Sequence, residues 1–372
     1  MVGTIARAVF FVLLPAFGVG GALGLPILLC LAGALSLSPS LLRQAVECRP
    51  WSLLLLAGFL ALAVTSSLWS EHAAGPQALK IGALAALGSV FAAAAAQDRR
   101  LTRAGAVAAF AVLAALLAIE AMGGLPLNRA AQPGGDIDEL TRNVTRAASL
   151  LLALTWAAAG ALLGRSEPIW KAGAVAILAA GGFVSLQFGQ FANTVGFVAG
   201  LAAFAGAYIA PRIMLAAVFA ALLVWLIGAP FITPLLASAI GAEQLPFSWS
   251  ARIEIWSYIC DRIWEQPWFG HGLDAARAHL PAVPVHPHSA SLQIWFELGA
   301  VGVALAGALL VFGGRSLLRN FGDNRPAAAA TAGTLAAAGV VANLSFNLWA
   351  EWWLAAMFVA AGVAGALARS PR

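Results

Sequence analysis

The chain has 372 residues, of which 61% are hydrophobic and only 10% are charged. A soluble domain carries about 25% charged residues, and the mean hydropathy here is +0.87. This composition excludes an ordinary soluble enzyme and indicates a polytopic membrane protein whose surroundings are the lipid bilayer. We interpret the net charge of +5 as a consequence of membrane topology, and we predict no nucleic-acid partner from it.

Apolar segments of about 20 residues, the length that crosses a hydrocarbon layer of ~30 Å, recur along the chain. The segment from Ala8 to Leu37 is too long for one ordinary span, and Pro15 with the glycines after it divides this segment into two short helices, 8–20 and 22–38. We therefore predict an all-α polytopic membrane protein with about 12 transmembrane helices, forming a single membrane domain over residues 1–372. The other ten predicted spans are 51–69, 78–97, 101–121, 147–164, 170–187, 190–209, 212–232, 291–313, 327–347 and 349–368.

The distribution of Lys and Arg predicts the orientation of these spans, because basic residues accumulate in cytoplasmic loops. With the N-terminus inside, 14 of the 21 basic residues fall in cytoplasmic segments. Both termini are therefore predicted to be cytoplasmic.

A large loop over residues 240–290 is predicted between spans 9 and 10, on the far side of the membrane. Long loops in an otherwise compact protein are usually functional. Five residues of this loop form an apolar stripe at helical spacing, and Pro267 follows them. We predict an amphipathic helix that lies at the membrane interface. The stripe consists of Ile255, Trp256, Ile259, Ile263 and Trp264.

Titratable residues lie around the start of the tenth predicted span. His286 and His288 precede its apolar segment, and Gln293 and Glu297 lie one helical turn apart on one face of it. Burying such groups costs several kcal/mol unless they are paired or used, so ionisable residues inside a membrane are candidates for function. The segment is typical of a proton-transfer site at a membrane surface.

The histidines of this region also raise the question of a metal ion. A site built from His271, His279, His286 and His288 would lack an accompanying cluster of carboxylates, and the chain contains no His-Glu-x-x-His motif. We therefore predict no metal, no cofactor and an activity that survives chelation.

The same segment resembles a known family. His288 and Ser289, nine intervening residues, and the run Gly299 to Gly302 are similar to the His-[Asn/Ser/Gln]-x9-Gly-x-x-Gly signature of the bacterial O-antigen ligases, a superfamily that includes O-antigen and exopolysaccharide polymerases. The spacing Arg252-x3-Trp256 and the run Pro267 to Gly272 also resemble this family. The resemblance covers about residues 250–302.

This resemblance implies a membrane glycosyltransferase of the GT-C type in the bacterial inner membrane, with its active site facing the periplasm. The donor would be a glycan linked to undecaprenyl diphosphate, and the acceptor lipid A-core or another glycan. His288 would be the catalytic base, and Arg252 would bind the diphosphate and stabilise its growing charge. His286, Gln293, Glu297 and Trp256 are candidates for binding substrate or for orienting the base.

The chain departs from the family pattern at one point. Members carry a second essential arginine in a mid-chain span, but the corresponding stretch here, residues 184–196, contains none. Arg142 and Arg146, at the outer end of the sixth predicted span, or Lys80, at the start of the fourth, could supply the second positive charge. The alternative for these two arginines is that they reach toward lipid phosphates.

Three functions remain open from the sequence. The chain could be a ligase that transfers a polymerised glycan, or a polymerase that joins lipid-linked repeat units. A transporter of lipid-linked polysaccharide is the third alternative, although charged residues are not repeated at mid-membrane depth in two halves of the chain.

Overall fold

The computed structural model describes residues 1–41, 43, 50–240 and 247–368. Residues 241–246 of the predicted loop and the predicted cytoplasmic C-terminus, residues 369–372, lie outside the described part. The described residues form α-helices joined by turns and short 3₁₀ segments, and they contain no strand. The helices are α1 (Val2–Val19), α2 (Leu25–Ser36), α3 (Pro50–Thr65), α4 (Gly75–Gln97), α5 (Arg99–Gly123), α6 (Pro126–Ala131), α7 (Ile137–Leu163), α8 (Pro168–Ser185), α9 (Phe191–Ile209), α10 (Pro211–Ile240), α11 (Phe247–Ile263), α12 (Ala290–Phe321), α13 (Arg325–Leu344) and α14 (Glu351–Leu367).

The prediction of an all-α polytopic membrane protein is confirmed. Among the described residues, nine helices are long and apolar enough to cross a membrane. Three shorter apolar helices, Leu25–Ser36, Leu54–Leu68 and Glu351–Leu367, coincide with the remaining predicted spans. Each predicted span therefore overlaps a helix, and the total of twelve crossings stays a prediction.

Helix α7 begins ten residues before its predicted span, and its first turn explains why. Asp136 adopts an extended backbone, and its side chain accepts a hydrogen bond of 3.1 Å from the backbone N–H of Asp138. Such an N-cap satisfies a donor that the helix itself cannot pair, and acidic residues in the first turn favour the positive end of the helix dipole. The cap therefore extends α7 beyond its apolar part.

Helix α7 is also the centre of the main core. Every side chain from Ala147 to Leu162 is buried, with Trp156 stacked against Phe197 of α9 at 5.5 Å between ring centroids. Lipid tails are as apolar as leucine, so helices in a bilayer associate through close packing of small residues rather than through hydrophobicity. The alanine-rich sequences of α7 and α13 fit this requirement, because alanines 327–330 are fully buried.

The connections between helices gather at two ends of the bundle. We call one of them the site end; it holds residues 66–74, 186–190, 264–289 and 345–350. Hydrogen bonds join these connections, for example from Ser70 Oγ to the Leu273 carbonyl at 2.7 Å. At the opposite end Arg7 forms an ion pair with Asp98 at 3.1 Å. Each end of the bundle thus has its own polar contacts between connections.

Helix α12 is broken at Gly299, which has φ +61° and ψ −164°. The run Pro267 to Gly272 passes beside this break and pairs with the exposed backbone groups. The N–H groups of residues 271 and 272 donate to the carbonyls of residues 296 and 297, and those of residues 300 and 301 donate to the carbonyls of residues 267 and 268, all at 2.8–3.1 Å. Unpaired backbone groups away from water cost free energy. The run Pro267 to Gly272 removes this cost by pairing with the backbone groups that the break exposes.

Candidate active site

His288 lies at the start of α12, at the site end of the bundle. Its backbone has φ +55°, a conformation that L-residues rarely adopt and that tends to be found at functional sites. Its Nδ1 lies 2.6 Å from the carbonyl oxygen of Ser345, which follows α13. A carbonyl can only accept, so Nδ1 carries the proton and Nε2 is left with its lone pair. Among the described residues, Nε2 has no hydrogen-bond partner.

The environment of His288 keeps its imidazole neutral. Burial lowers the pKa of His288, the hydrogen bond to Ser345 raises it, and the charge of Arg252 lowers it again. The net result is a pKa of His288 below the usual histidine value of about 6.5. The imidazole therefore has a free basic nitrogen at neutral pH.

His286 packs beside His288, with 4.0 Å between ring centroids. Its Nδ1 accepts a hydrogen bond of 3.1 Å from the backbone N–H of His288. Burial, followed by the neighbouring His288, Arg277 and Arg252, lowers the pKa of His286 to about 2. His286 is thus a neutral acceptor that supports the unusual backbone of His288.

Arg252 lies on α11 and is half-buried. Its Nη1 donates to the carbonyl of Ser248 at 2.6 Å, and its guanidinium lies over the Trp249 ring at 5.6 Å from the centroid. Its Nε is buried without a partner, and Arg252 forms no ion pair with any described residue. The guanidinium therefore keeps donors available for an anion close to the histidine pair.

Helix α11 occupies the place of the predicted amphipathic helix. Three of the predicted stripe residues, at positions 255, 259 and 263, are buried in a cluster shared with α10 and α12, whereas Trp264 is exposed. Trp256 donates from Nε1 to the Pro287 carbonyl at 2.8 Å. The helix thus packs against the bundle and also holds the turn before His288 in place.

An open cavity of about 440 Å³ reaches Ser289, the residue after His288, and its lining is almost entirely apolar. Trp249 and Trp256 of α11 and the polar pair Ser289 and Asn343 contribute to it. A second apolar cavity, of about 420 Å³, runs along α9, α10 and α13 and shares with the first Trp225, Asn343 and Leu344. The two cavities adjoin at these shared residues, and we call the pair the apolar groove.

Asn343 joins this groove to the start of α12. Its Oδ1 accepts from Ser289 Oγ at 3.2 Å and from the backbone N–H of Ser291 at 3.0 Å. Ser289 is the N-cap of α12, which is a role that serine fills well. The second residue of the signature is therefore a structural residue that positions His288 and the helix behind it.

Gln293 and Glu297 are fully buried, and none of their hydrogen bonds is made to His288. Gln293 donates to Glu297 and to Asn347, each at 2.9 Å, and accepts from the backbone N–H of Leu348. Glu297 also accepts from the indole of Trp349. These side chains hold the 345–350 connection, whose Ser345 carbonyl orients His288, so they act on the base only indirectly.

Arg142 and Arg146 lie on the extended first turns of α7. Arg142 donates to the carbonyl of Asp138 in its own helix at 3.2 Å, and Arg146 forms no ion pair with the described residues. Neither one contacts His288 or Arg252. Arg146 lies one turn before Ser149, which is linked to the site by the polar chain described next.

This polar chain was not predicted from the sequence. Ser149 donates to Asn193 at 2.9 Å, Asn193 donates to Gln190 at 3.0 Å, and Gln190 donates to Ser345 Oγ at 2.7 Å. It brings the arginine-free stretch 184–196 next to the residue that orients His288. The sequence did contain a signal for this chain, because amide side chains stand in the otherwise apolar stretch 184–196.

A second group of titratable residues lies at the site end, apart from His288. Glu71, His271 and His279 place one possible ligand atom each within 4.8 Å of one another. The histidine set considered in the sequence analysis separates in the structure, because 286 and 288 form one pair and 271 and 279 the other. The carboxylate of the second group is that of Glu71, which lies in the connection after α3.

Two comparisons with known proteins bear on this site. Residues 192–307 match the family model described as "O-Antigen ligase", and this range contains Arg252, His288 and Gly299. A "Putative polysaccharide ligase" of Rickettsia conorii is 26% identical over 169 residues, which are 40% of this chain and 40% of that protein. One of Rickettsia prowazekii is 25% identical over 171 residues, which are 40% of this chain and 41% of that protein.

The matched region thus spans about 40% of the length of these relatives. The family model itself covers the break at Gly299 and the run Pro267 to Gly272 that pairs with it. The family model, the relatives and the signature at residues 288–302 agree with one another. The chain is a multi-pass membrane protein, and its residues 192–307 are similar to the O-antigen ligases.

Proposed function

We propose that this protein is a polysaccharide ligase that moves a glycan from a polyprenyl-diphosphate carrier, such as undecaprenyl diphosphate, to a hydroxyl of lipid A-core or another acceptor. The observation that carries the proposal is the free Nε2 of His288, which is held beside Arg252 and at the mouth of an apolar groove. A base, a diphosphate-binding cation and a place for a lipid tail are the three things that this reaction requires.

His288 is the proposed base. Its Nδ1 donates to the Ser345 carbonyl, which fixes both the tautomer and the direction of the ring. Nε2 takes the proton of the acceptor hydroxyl as the oxygen attacks the anomeric carbon, and the bond from that carbon to the diphosphate breaks. General-base assistance of this kind typically contributes about 10²–10⁴-fold to a rate.

Arg252 is the proposed partner of the leaving diphosphate. The planar guanidinium suits phosphate oxygens, and its Nε is buried without a partner. Negative charge grows on the diphosphate as the glycosidic bond breaks, so a fixed cation stabilises the transition state more than the ground state. Arg146, the less constrained of the two α7 arginines, is the proposed second cation because it lies on the same end of the bundle.

The apolar groove is the proposed binding place for the prenyl tail. It begins beside Ser289 and Asn343 and continues along α9, α10 and α13. A tail in this groove would leave the diphosphate at the level of Arg252. Trp249 makes an edge-to-face contact with Phe191 at 5.6 Å, so two aromatic rings form the wall of the groove nearest Arg252.

The site end is proposed to face the periplasm. Basic residues concentrate at the opposite end, as expected for a cytoplasmic face. The described ones are Arg7, Arg43, Arg99, Arg100, Arg103, Arg165, Lys171, Arg212, Arg315, Arg319 and Arg325.

The chemistry at His288 is proposed to use no metal ion, since the base and the positive charge both come from side chains. Transfer by the purified protein in excess EDTA, assayed well below its melting temperature, should stay near its starting rate. A loss of transfer that a divalent ion restores would contradict this part of the proposal.

The glycans of a deletion strain test the function as a whole. For a ligase, we expect long glycans to accumulate on the polyprenyl carrier while the acceptor lipid stays bare. Acceptors that carry a single repeat unit would instead show a polymerase, and normal glycans with altered export would show a transporter. Complementation with the intact gene and with a His288→Ala variant provides the matched control.

A further inference from the structure

Glu71, His271 and His279 converge from three places in the chain at the site end. Glu71 Oε1 lies 3.6 Å from His271 Nδ1, and Glu71 Oε2 lies 3.4 Å from His279 Nε2. The two imidazoles are nearly enclosed, with side chains 3% and 8% exposed, whereas the carboxylate is half-exposed. The cluster therefore has a dry interior and one side open to solvent.

Each of the two histidines has one ring nitrogen that faces Glu71 and one that faces another partner. His271 Nε2 lies 3.1 Å from the Arg262 carbonyl, which can only accept, so Nε2 bears the proton and Nδ1 has a lone pair aimed into the cluster. His279 Nδ1 contacts the hydroxyl of Tyr258 at 3.0 Å. Neither His271 Nδ1 nor His279 Nε2 has a hydrogen-bond partner in the described part of the chain, although both are buried.

We propose that Glu71, His271 and His279 form a binding site for one divalent transition-metal ion of the Zn²⁺ class. Zinc bonds to histidine nitrogen and carboxylate oxygen measure about 2.0–2.1 Å, which at tetrahedral angles separates the ligand atoms by about 3.4 Å. The two carboxylate-to-imidazole separations already match this value. Solvent would complete the coordination on the open side of Glu71.

The surroundings of the cluster are those that metal ligands need. Metal-binding histidines usually donate their other N–H to a carbonyl or to another polar group, as His271 does. The imidazole of His271 is also stacked on Phe296 at 4.4 Å, and His279 packs edge-on against the same ring at 5.2 Å. Both rings are therefore fixed in orientation before any ion binds.

The proposed ion would connect parts of the chain that lie about 200 residues apart. Glu71 belongs to the connection after α3, and His271 to the run that pairs with the break in α12. Trp69 and Ser70 already bond to the carbonyls of Gly270 and Leu273. The ion would add a bond that is stronger than these and would stabilise the break without touching the base.

Metal content tests the proposal directly. The full-length protein, purified without chelator and dialysed, should contain about one Zn²⁺ per chain, and the Glu71→Gln variant should lose most of it. Glu71 is half-exposed, so this substitution should not prevent folding. His72→Ala is the matched control, because His72 is the next residue but offers no atom to the cluster, and this variant should keep the metal.

Thermal stability provides a second measurement. Adding Zn²⁺ to the chelator-treated protein should raise Tm by about 3 °C or more, whereas Mg²⁺, which prefers oxygen ligands, should not. The Glu71→Gln variant should show no Zn²⁺-dependent shift, and the His72→Ala variant should show the full one. A wild-type protein with no more metal than the Glu71→Gln variant and no Zn²⁺-dependent shift would overturn the proposal and leave only an ion pair.

Discussion

Replacing Gly299 with alanine tests how the break in α12 is maintained. With φ +61° and ψ −164°, Gly299 occupies a region that is essentially restricted to glycine, and another residue there costs about 1–3 kcal/mol. The added Cβ would also lie 2.5 Å from the Trp268 carbonyl carbon and oxygen, and 2.7 Å from the Gly270 nitrogen. These atoms belong to backbone, which cannot rotate away as a side chain could.

The steric clash adds to the backbone strain. The run Pro267 to Gly272 makes four backbone hydrogen bonds to α12, each contributing about 1 kcal/mol net. Displacing this run would weaken one or two of them, so the total loss for Gly299→Ala is roughly 2–5 kcal/mol. The substitution should also move the start of α12 and reduce glycan transfer.

Gly313 provides the matched control on the same helix. A Cβ at Gly313 meets nothing within 4 Å, and alanine is favoured over glycine inside a helix by roughly 0.5–1 kcal/mol. Melting temperatures of the two variants would be compared in one detergent. Gly299→Ala should lower Tm, and Gly313→Ala should leave it unchanged or raise it. Equal Tm and equal transfer for Gly299→Ala and wild type would refute the account of the break.

Four further expectations follow from the site and from the topology. His288→Ala should still bind the lipid-linked donor but lose about 10²–10⁴-fold in single-turnover transfer; near-normal transfer would remove the base from the mechanism. Because burial lowers the pKa of His288, the transfer rate should fall on acidification with a midpoint below the ordinary histidine value of about 6.5. Arg252→Lys should weaken both donor binding and turnover, since lysine keeps the charge but loses the planar fork, whereas His286→Ala should have a milder effect that shows mainly in transfer. A reporter fused after Ala282 should be active only in the periplasm and one fused after Asn320 only in the cytoplasm; the same compartment for both would contradict the predicted orientation.

The helices could be predicted from the sequence because spanning length and apolar composition are local properties. The start of α7 was placed ten residues too late, since hydropathy registers the apolar part of a helix and not its polar first turns. The capping signal of Asp136, followed by two acidic residues, was present in the sequence. Local capping rules would have corrected this boundary.

The roles of individual polar residues were harder to predict, because they depend on which helices meet. The spacing of Gln293 and Glu297 correctly indicated one shared face, and these side chains do bond to each other. That face meets Asn347 and Trp349, however, and not His288. Periodicity shows which residues share a face but not what lies opposite it.

The same reason explains the cluster around Glu71. His271 and His279 were recognised as histidines of one loop, and no metal was predicted because no cluster of carboxylates accompanies them in the sequence. Glu71 is separated from His271 by the whole first part of the bundle. Only the packing of α3 against α12 brings this carboxylate to the histidines.

If the proposed function is correct, the apolar groove along α9, α10 and α13 has a consequence for how often the protein meets its lipid-linked donor. A substrate whose tail reaches this groove from the bilayer approaches by diffusion within a plane. Its supply is then set by the number of carrier molecules per unit of membrane area, and the aqueous volume around the cell has no influence on it. Turnover in reconstituted vesicles should accordingly follow the mole fraction of donor in the lipid and stay constant when the suspension is diluted.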